Sequence, residues 1–179
     1  MIDLQEHQSL VNTVLGGLVE QSWIQNGALI VQVPVEANLQ VLVKLRDEPQ
    51  LRFDVLTYMT AVDCYPRVPR FDVVYELFST EYKHRVRVKC QLADSNSLDE
   101  LPTIDSACEA YLAANWHERE CYDLMGIRFA EHPDLRRILL PEQWDGHPLR
   151  KEYPFDGKRT WNLGCNVEQG GLAAESLGL

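Results

Sequence analysis

A chain of 179 residues, 45% of them hydrophobic and 25% charged, suits one domain with an appended arm and has apolar side chains enough for a real core. Its formal charge of −10 excludes a protein whose main task is to hold nucleic acid or an anionic membrane, since both call for a basic face. The five cysteines, Cys64, Cys90, Cys108, Cys121 and Cys165, are odd in number and lack close pairs, which argues against an iron–sulfur or structural zinc site and for buried reduced thiols in a reducing compartment.

The start, Met1-Ile2-Asp3-Leu4, shows no basic region followed by an apolar run, so no signal peptide is expected. No window approaches the roughly 18 apolar residues of a membrane span, and membrane contact is expected only through a partner. Leu10, Val11, Val14, Leu15 and Leu18 recur with a helical period, weakened at Gly16-Gly17, and predict a helix within 4–20. Asn26-Gly27 signals a turn, and Ala28 to Val33 reads as a short strand stopped by Pro34. Leu39, Val41, Leu42 and Leu45 predict a second helix from Glu36 to about Glu48, with a strand as the alternative because of the β-branched content.

Three strands are expected next: Val55 to Cys64, Phe71 to Ser79, and Tyr82 to Leu92, with Thr80-Glu81 closing a hairpin. In the third, His84, Arg85, Arg87 and Lys89 interleave with Val86, Val88 and Cys90, so a wet basic face opposite a buried one is expected. A solvated face is the commoner reading of such a pattern than a grip on an acidic partner. A loop at Asp94-Ser95-Asn96-Ser97 precedes a predicted helix from Thr103 to Ala113. Asn115 with Glu118 three residues on reads as a capping box, worth about 1 kcal/mol, opening a helix from Trp116 to Met125. Gly126 suits the position just past its end. After Tyr153 the pattern dissolves into glycines with Trp161 and Leu163 as the bulky anchors. Residues 154–179 read as an arm, disordered or ordered only on another protein, because ordering costs roughly 1–2 kcal/mol per residue.

The densest chemistry lies between Trp116 and Tyr153. His132, Asp134, Asp145 and His147 are metal-ligand types, yet both histidines precede prolines in extended segments and no His-x-x-x-His spacing occurs. Glu118, Glu120, Asp123 and Glu131 with His117 or His132 offer acid–base groups, but Arg119 is placed to pair with Asp123 one helical turn away. No nucleophile elbow, phosphate loop or dinucleotide glycine pattern is present. A docking surface reads better: Tyr122, Met125, Ile127 and Phe129 bury, while Arg136, Arg137 and Arg150 present forked donors to carboxylates.

These residues closely resemble the C subunit of the proton-pumping NADH:quinone oxidoreductase, respiratory complex I. The resemblance runs through Glu118-Arg119-Glu120, Tyr122-Asp123, Gly126-Ile127, Phe129, His132-Pro133-Asp134-Leu135, Arg137-Ile138-Leu139, Trp144, Gly146-His147-Pro148-Leu149-Arg150-Lys151 and Tyr153-Pro154. Thr60-Ala61-Val62-Asp63 is a weaker landmark. The resemblance implies an α+β two-layer sandwich, with a mixed or antiparallel sheet of about four to five strands packed on helices. It further implies a domain over 1–153 and an extension over 154–179 laid on the hydrogenase-like D subunit, with the B and I subunits nearby. Glu118, Arg119, Glu120, Asp123, His132, Asp134, Arg137, Trp144, His147, Arg150 and Lys151 are then interface or scaffold residues, and none is catalytic.

By the same resemblance this chain binds no cofactor. The whole complex carries FMN and iron–sulfur clusters, moves electrons from NADH to quinone, and couples this to proton translocation at the cytoplasmic face of the bacterial inner membrane. Ending at Leu179, the chain is expected to be a separate subunit, the form not fused to the D subunit. The alternatives are the equivalent subunit of a membrane-bound energy-converting hydrogenase or related complex, and, more remotely, a standalone metal- or acid-dependent hydrolase.

Overall fold

The computed structural model describes residues 3–95 and 100–154; the arm expected over 154–179 falls, past Pro154, outside them, as do Cys165 and Asn96-Ser97 of the expected loop. Asp3 opens helix α1 (Leu4–Leu15) by accepting the Gln5 N–H, and its stripe His7, Val11 and Leu15 is buried at four-residue spacing. Strand β1 (Gln21–Gln25) follows, an element absent from the sequence reading. Its Gln-Ser-Trp-Ile-Gln run lacks alternation because it is an edge strand, paired with β2 (Ala28–Val33) alone. Asn26 and Gly27, with φ of 51° and 76°, supply the two left-handed residues that such a tight hairpin needs.

The expected second helix is α2 (Asn38–Asp47), burying Asn38, Val41, Leu42 and Leu45; helical spacing prevails over β-branching here. Then come β3 (Val55–Asp63), β4 (Phe71–Phe78) and β5 (Arg85–Leu92). The sheet order is β1-β2-β5-β4-β3, antiparallel except for the parallel β2–β5 pair. The chain thus adopts the expected α+β sandwich with a mixed five-stranded sheet. One hydrophobic cluster joins α1 and α2 to the inner faces of the strands. Within it the buried Tyr75 hydroxyl accepts from Asn38 Nδ2 at 3.1 Å, and Tyr111 donates to the Phe53 carbonyl at 2.7 Å. Among the described residues no helix is long and apolar enough to cross a membrane.

Four local expectations fail for identifiable reasons. The β4–β5 turn runs from Ser79 to His84, closed by Ser79 N–H to His84 O and by Lys83 N–H to Ser79 O, so β5 starts three residues later than expected. His84 shares the parity of Val86, Val88 and Cys90 and is buried with them, off the wet face. On that wet face Arg87 is paired with Glu76, and Lys89 with Asp72 at 2.7 Å. The helix expected over Thr103 to Ala113 is instead a strand, β6 (Thr103–Asp105), followed by turns. β6 pairs in parallel with β7 (Arg128–Ala130), and this distant ladder takes the backbone groups that a helix would have used.

The capping box fails as well. Helix α3 (Ala114–Met125) starts at Ala113 without a side-chain cap, so Asn115 lies inside it. Glu118 turns away to the 106–108 segment. Gly126 does terminate α3 in the left-handed region, at φ 66°.

Candidate functional site

Helix α3 has no basic residue in its last turn, and its exposed carbonyls are met from elsewhere in the chain. Arg137 donates to the Asp123 carbonyl at 3.1 Å, and His147 Nδ1 lies 2.9 Å from that oxygen. The Leu149 N–H reaches the Leu124 carbonyl at 3.0 Å; Arg150 reaches those of Met125 and Gly126 at 2.7 and 3.1 Å. Residues 137–150 therefore cap the helix in three dimensions. Charge at a helix C-terminus and satisfied carbonyls both favour that seat.

The side chain of Asp123 anchors the other half of this loop. It is fully buried, and its Oδ2 accepts the N–H groups of Ile138, Leu139 and Leu140 at 3.1, 2.8 and 2.9 Å. Its Oδ1 accepts from Arg137 at 2.7 Å. Burial alone would raise this carboxyl, but the three N–H donors and the Arg137 charge more than offset it and hold the group below its usual range. Arg137 continues to the carbonyls of Trp144 and Gly146, which sets the path of the loop. The expected Arg119–Asp123 pair is not made. Arg119 donates instead to the carbonyls of Arg136 and Arg137, sits over the Trp116 ring at 5.1 Å, and lies 4.0 Å from Asp134.

Residues 150–153 are tied to the far ends of β3 and β4 through Asp63 and Arg70. Arg70 donates a fork to Asp63 at 2.9 and 2.7 Å and reaches Asp94 at 2.8 Å and Glu152. Lys151 gives its N–H to Asp63 at 2.8 Å, while its side chain stays exposed. Burial pushes Asp63 up, yet the Arg70 fork and these N–H donors keep it far below an ordinary aspartate. Only the Thr60–Asp63 landmark hints at this tie in the sequence; Arg70 sits in a proline-rich loop with nothing to mark it.

Glu118, fully buried, joins α3 to the turn after β6. It accepts from Ser106 Oγ and Ala107 N–H, both at 2.6 Å, and from Cys108 Sγ at 3.6 Å. Burial raises its carboxyl to about 7. Cys108, Glu118 and His132 place three ligand-type atoms within 4.8 Å of one another, a grouping that sequence spacing could not reveal. The hydrogen bonds argue against a metal there. Asp134 N–H donates to His132 Nδ1 at 3.0 Å, so the ring proton is on Nε2, which faces the Asn115 carbonyl at 3.2 Å; neither nitrogen keeps a free lone pair. Burial is also the main reason the Cys108 thiol is pushed up to about 11. Asp145 and His147, ligand candidates by type, lie outside this group.

Glu118, Arg119, Asp123, Arg137 and Arg150 are thus satisfied internally, while Trp116, Leu139 and Leu149 stand 65%, 60% and 52% exposed. Glu120 is half-buried on α3, and Trp144 is half-buried with its carbonyl on Arg137.

Residues 31–159 match the family described as "Respiratory-chain NADH dehydrogenase, 30 Kd subunit". The chain is 40% identical over 151 residues to the NADH-quinone oxidoreductase C 2 subunit of Rhizobium meliloti (strain 1021), covering 84% of this chain and 80% of the relative. It is 43% identical over 154 residues to the NADH-quinone oxidoreductase C subunit of Brucella abortus (strain 2308), covering 86% and 73%. In fold it is similar to a chain in the structure of the membrane-bound sulfane sulfur reductase, an archaeal respiratory membrane complex. The TM-score is 0.67 over 87% of each chain, at 21% identity, a likeness of fold alone. With a match over most of its length and relatives at 40–43% identity, the chain belongs to the family of the 30 kDa subunit of respiratory-chain NADH dehydrogenase, the C subunit of NADH-quinone oxidoreductase.

Proposed function

We propose that this chain is a non-catalytic subunit of the peripheral arm, which braces the quinone-reducing module through the surface built on residues 116–154. One observation carries the reading. Glu118, Arg119, Asp123, Arg137 and Arg150 of the signature bond within the chain, and beside them the apolar side chains Trp116, Leu139 and Leu149 stand exposed. Exposed aromatic and aliphatic anchors of that kind are what protein interfaces use.

The hydrogenase-like D subunit is the main contact in this reading, with the B and I subunits adjoining. FMN and the iron–sulfur clusters belong to other subunits, and the complex carries electrons from NADH to quinone with proton translocation. The chain is peripheral on the cytoplasmic face of the bacterial inner membrane. A chain of an archaeal respiratory complex shares the fold, and the second reading is the same role in a membrane complex with another electron donor, such as an energy-converting hydrogenase. The electron donor oxidised by the purified complex separates the two.

The test replaces Leu139→Asp and Trp116→Glu in the native host. The expected result is loss of this chain from the complex on native gels, and of NADH:quinone activity with it, while NADH oxidation by an artificial flavin-level acceptor persists. Full assembly with quinone turnover lost would contradict a bracing role.

A further inference from the structure

A groove of about 900 Å³ opens at the end of the sheet remote from the Arg70–Glu152 tie, between α1, the β1–β2 turn and the β4–β5 turn. His7 and His84 line it, both buried, their rings stacked at 4.2 Å. His84 Nε2 faces the Leu51 carbonyl at 3.2 Å, which leaves Nδ1 as an acceptor with no hydrogen-bond partner among the described residues. Neither His7 nitrogen has one either. Tyr58 and Tyr82 line the same groove and remain exposed.

Its rim is positive on a chain of net charge −10. Arg87 is committed to Glu76, but neither Lys83 nor Arg85 forms an ion pair among the described residues, and both are exposed. Arg85 lies over the Phe78 ring at 5.4 Å.

We propose that this groove is a second docking surface, which receives an acidic segment of a neighbouring polypeptide. An apolar side chain of that segment seats between Tyr58 and Tyr82, and flanking carboxylates meet Lys83 and Arg85. The volume sits at the upper end of small-molecule pockets, roughly 300–1,000 Å³, and the charges stand on the rim, where they suit a chain passing across better than an enclosed ligand. The choice of a protein occupant rests on the chain being a subunit of a larger assembly; the groove and its charge do not.

The test incorporates p-benzoylphenylalanine at Thr57, an exposed residue lining the groove, in the native host. Isolated membranes are irradiated and the adducts mapped by mass spectrometry. The expected adduct is one peptide of a neighbouring protein in which an apolar residue is flanked by Asp or Glu. Its yield falls at least tenfold in Lys83→Glu/Arg85→Glu, and by less in Lys83→Gln/Arg85→Gln. No adduct, an adduct on a lipid, a small molecule or a basic peptide, or a yield indifferent to charge reversal overturns the proposal. The bracing reading fails separately: its failure is a wild-type chain that does not migrate with the complex, whatever the Thr57 adduct shows.

Discussion

Asp123 and Arg137 meet at 2.7 Å across fourteen residues of sequence, and from that contact the surface segment takes its shape. The carboxylate fixes three consecutive amides of 138–140, while the guanidinium fixes the carbonyls of 144 and 146. Replacing Asp123→Ala leaves three amides without their acceptor and Arg137 without its counter-charge. We expect a loss of about 3–5 kcal/mol in urea unfolding, the range for breaking a buried pair from one side. Amide exchange of Ile138, Leu139 and Leu140 should accelerate selectively; unchanged exchange there would refute the anchoring role.

Gly126→Ala should destabilise the protein by about 1–3 kcal/mol, because a non-glycine residue is strained at φ 66° and its Cβ would enter the space of the His147 ring. The double variant Gly126→Ala/His147→Ala should recover the steric part and keep the backbone part, read from thermal unfolding. No recovery at all would show that His147 is not in the way.

Two buried groups drive pH dependence in opposite directions. Glu118, raised to about 7 by burial, contributes stability present in full below its unfolded value of 4.5 and lost as pH rises to about 7. That gap corresponds to on the order of 3 kcal/mol. His7, lowered to about 4 by burial and then by His84, contributes stability present above 6.5 and lost as pH falls towards 4. The wild-type profile between pH 4 and 7 should therefore be flatter than either group alone would give. Glu118→Gln should make stability rise with pH across that window, and His7→Phe should make it fall, as followed by urea midpoints. Parallel profiles for all three proteins would exclude these groups as the cause.

Arg70→Ala should strip the buried Asp63 of its partner and release residues 151–153 from the sheet. A loss of about 3–5 kcal/mol is expected, with faster exchange of the Lys151 amide. Arg70→Lys should restore only part of it, since one ammonium cannot reproduce a fork on Asp63 while reaching Asp94. Full rescue by lysine would show that charge alone suffices.

Much of the scaffold was legible locally. Val11 and Leu15, Val41 and Leu45, and the alternating Val86, Val88 and Cys90 declare their elements through a period of about 3.6 or 2, and each is buried as that period requires. Gly126 was readable as a helix stop for the same reason: the demand for a left-handed residue is local. The run from Glu118 to Pro154 was readable as a family signature.

What local pattern could not carry was the choice of partner. Arg119 stands four residues from Asp123, and a pair at that helical spacing is worth only about 0.2–0.5 kcal/mol in an isolated helix. Three backbone amides and a more distant arginine prevail over it, because hydrogen bonds to a buried charge are worth about 1.5–3 kcal/mol each. Thr103–Asp105 likewise left the helix its composition suggested for a parallel ladder with Arg128–Ala130. Local pattern is enough to specify the periodic elements, their buried faces and the family signature. That Asp123, Glu118 and Asp63 serve as internal anchors follows from folding, which brings to each carboxylate donors from another part of the chain.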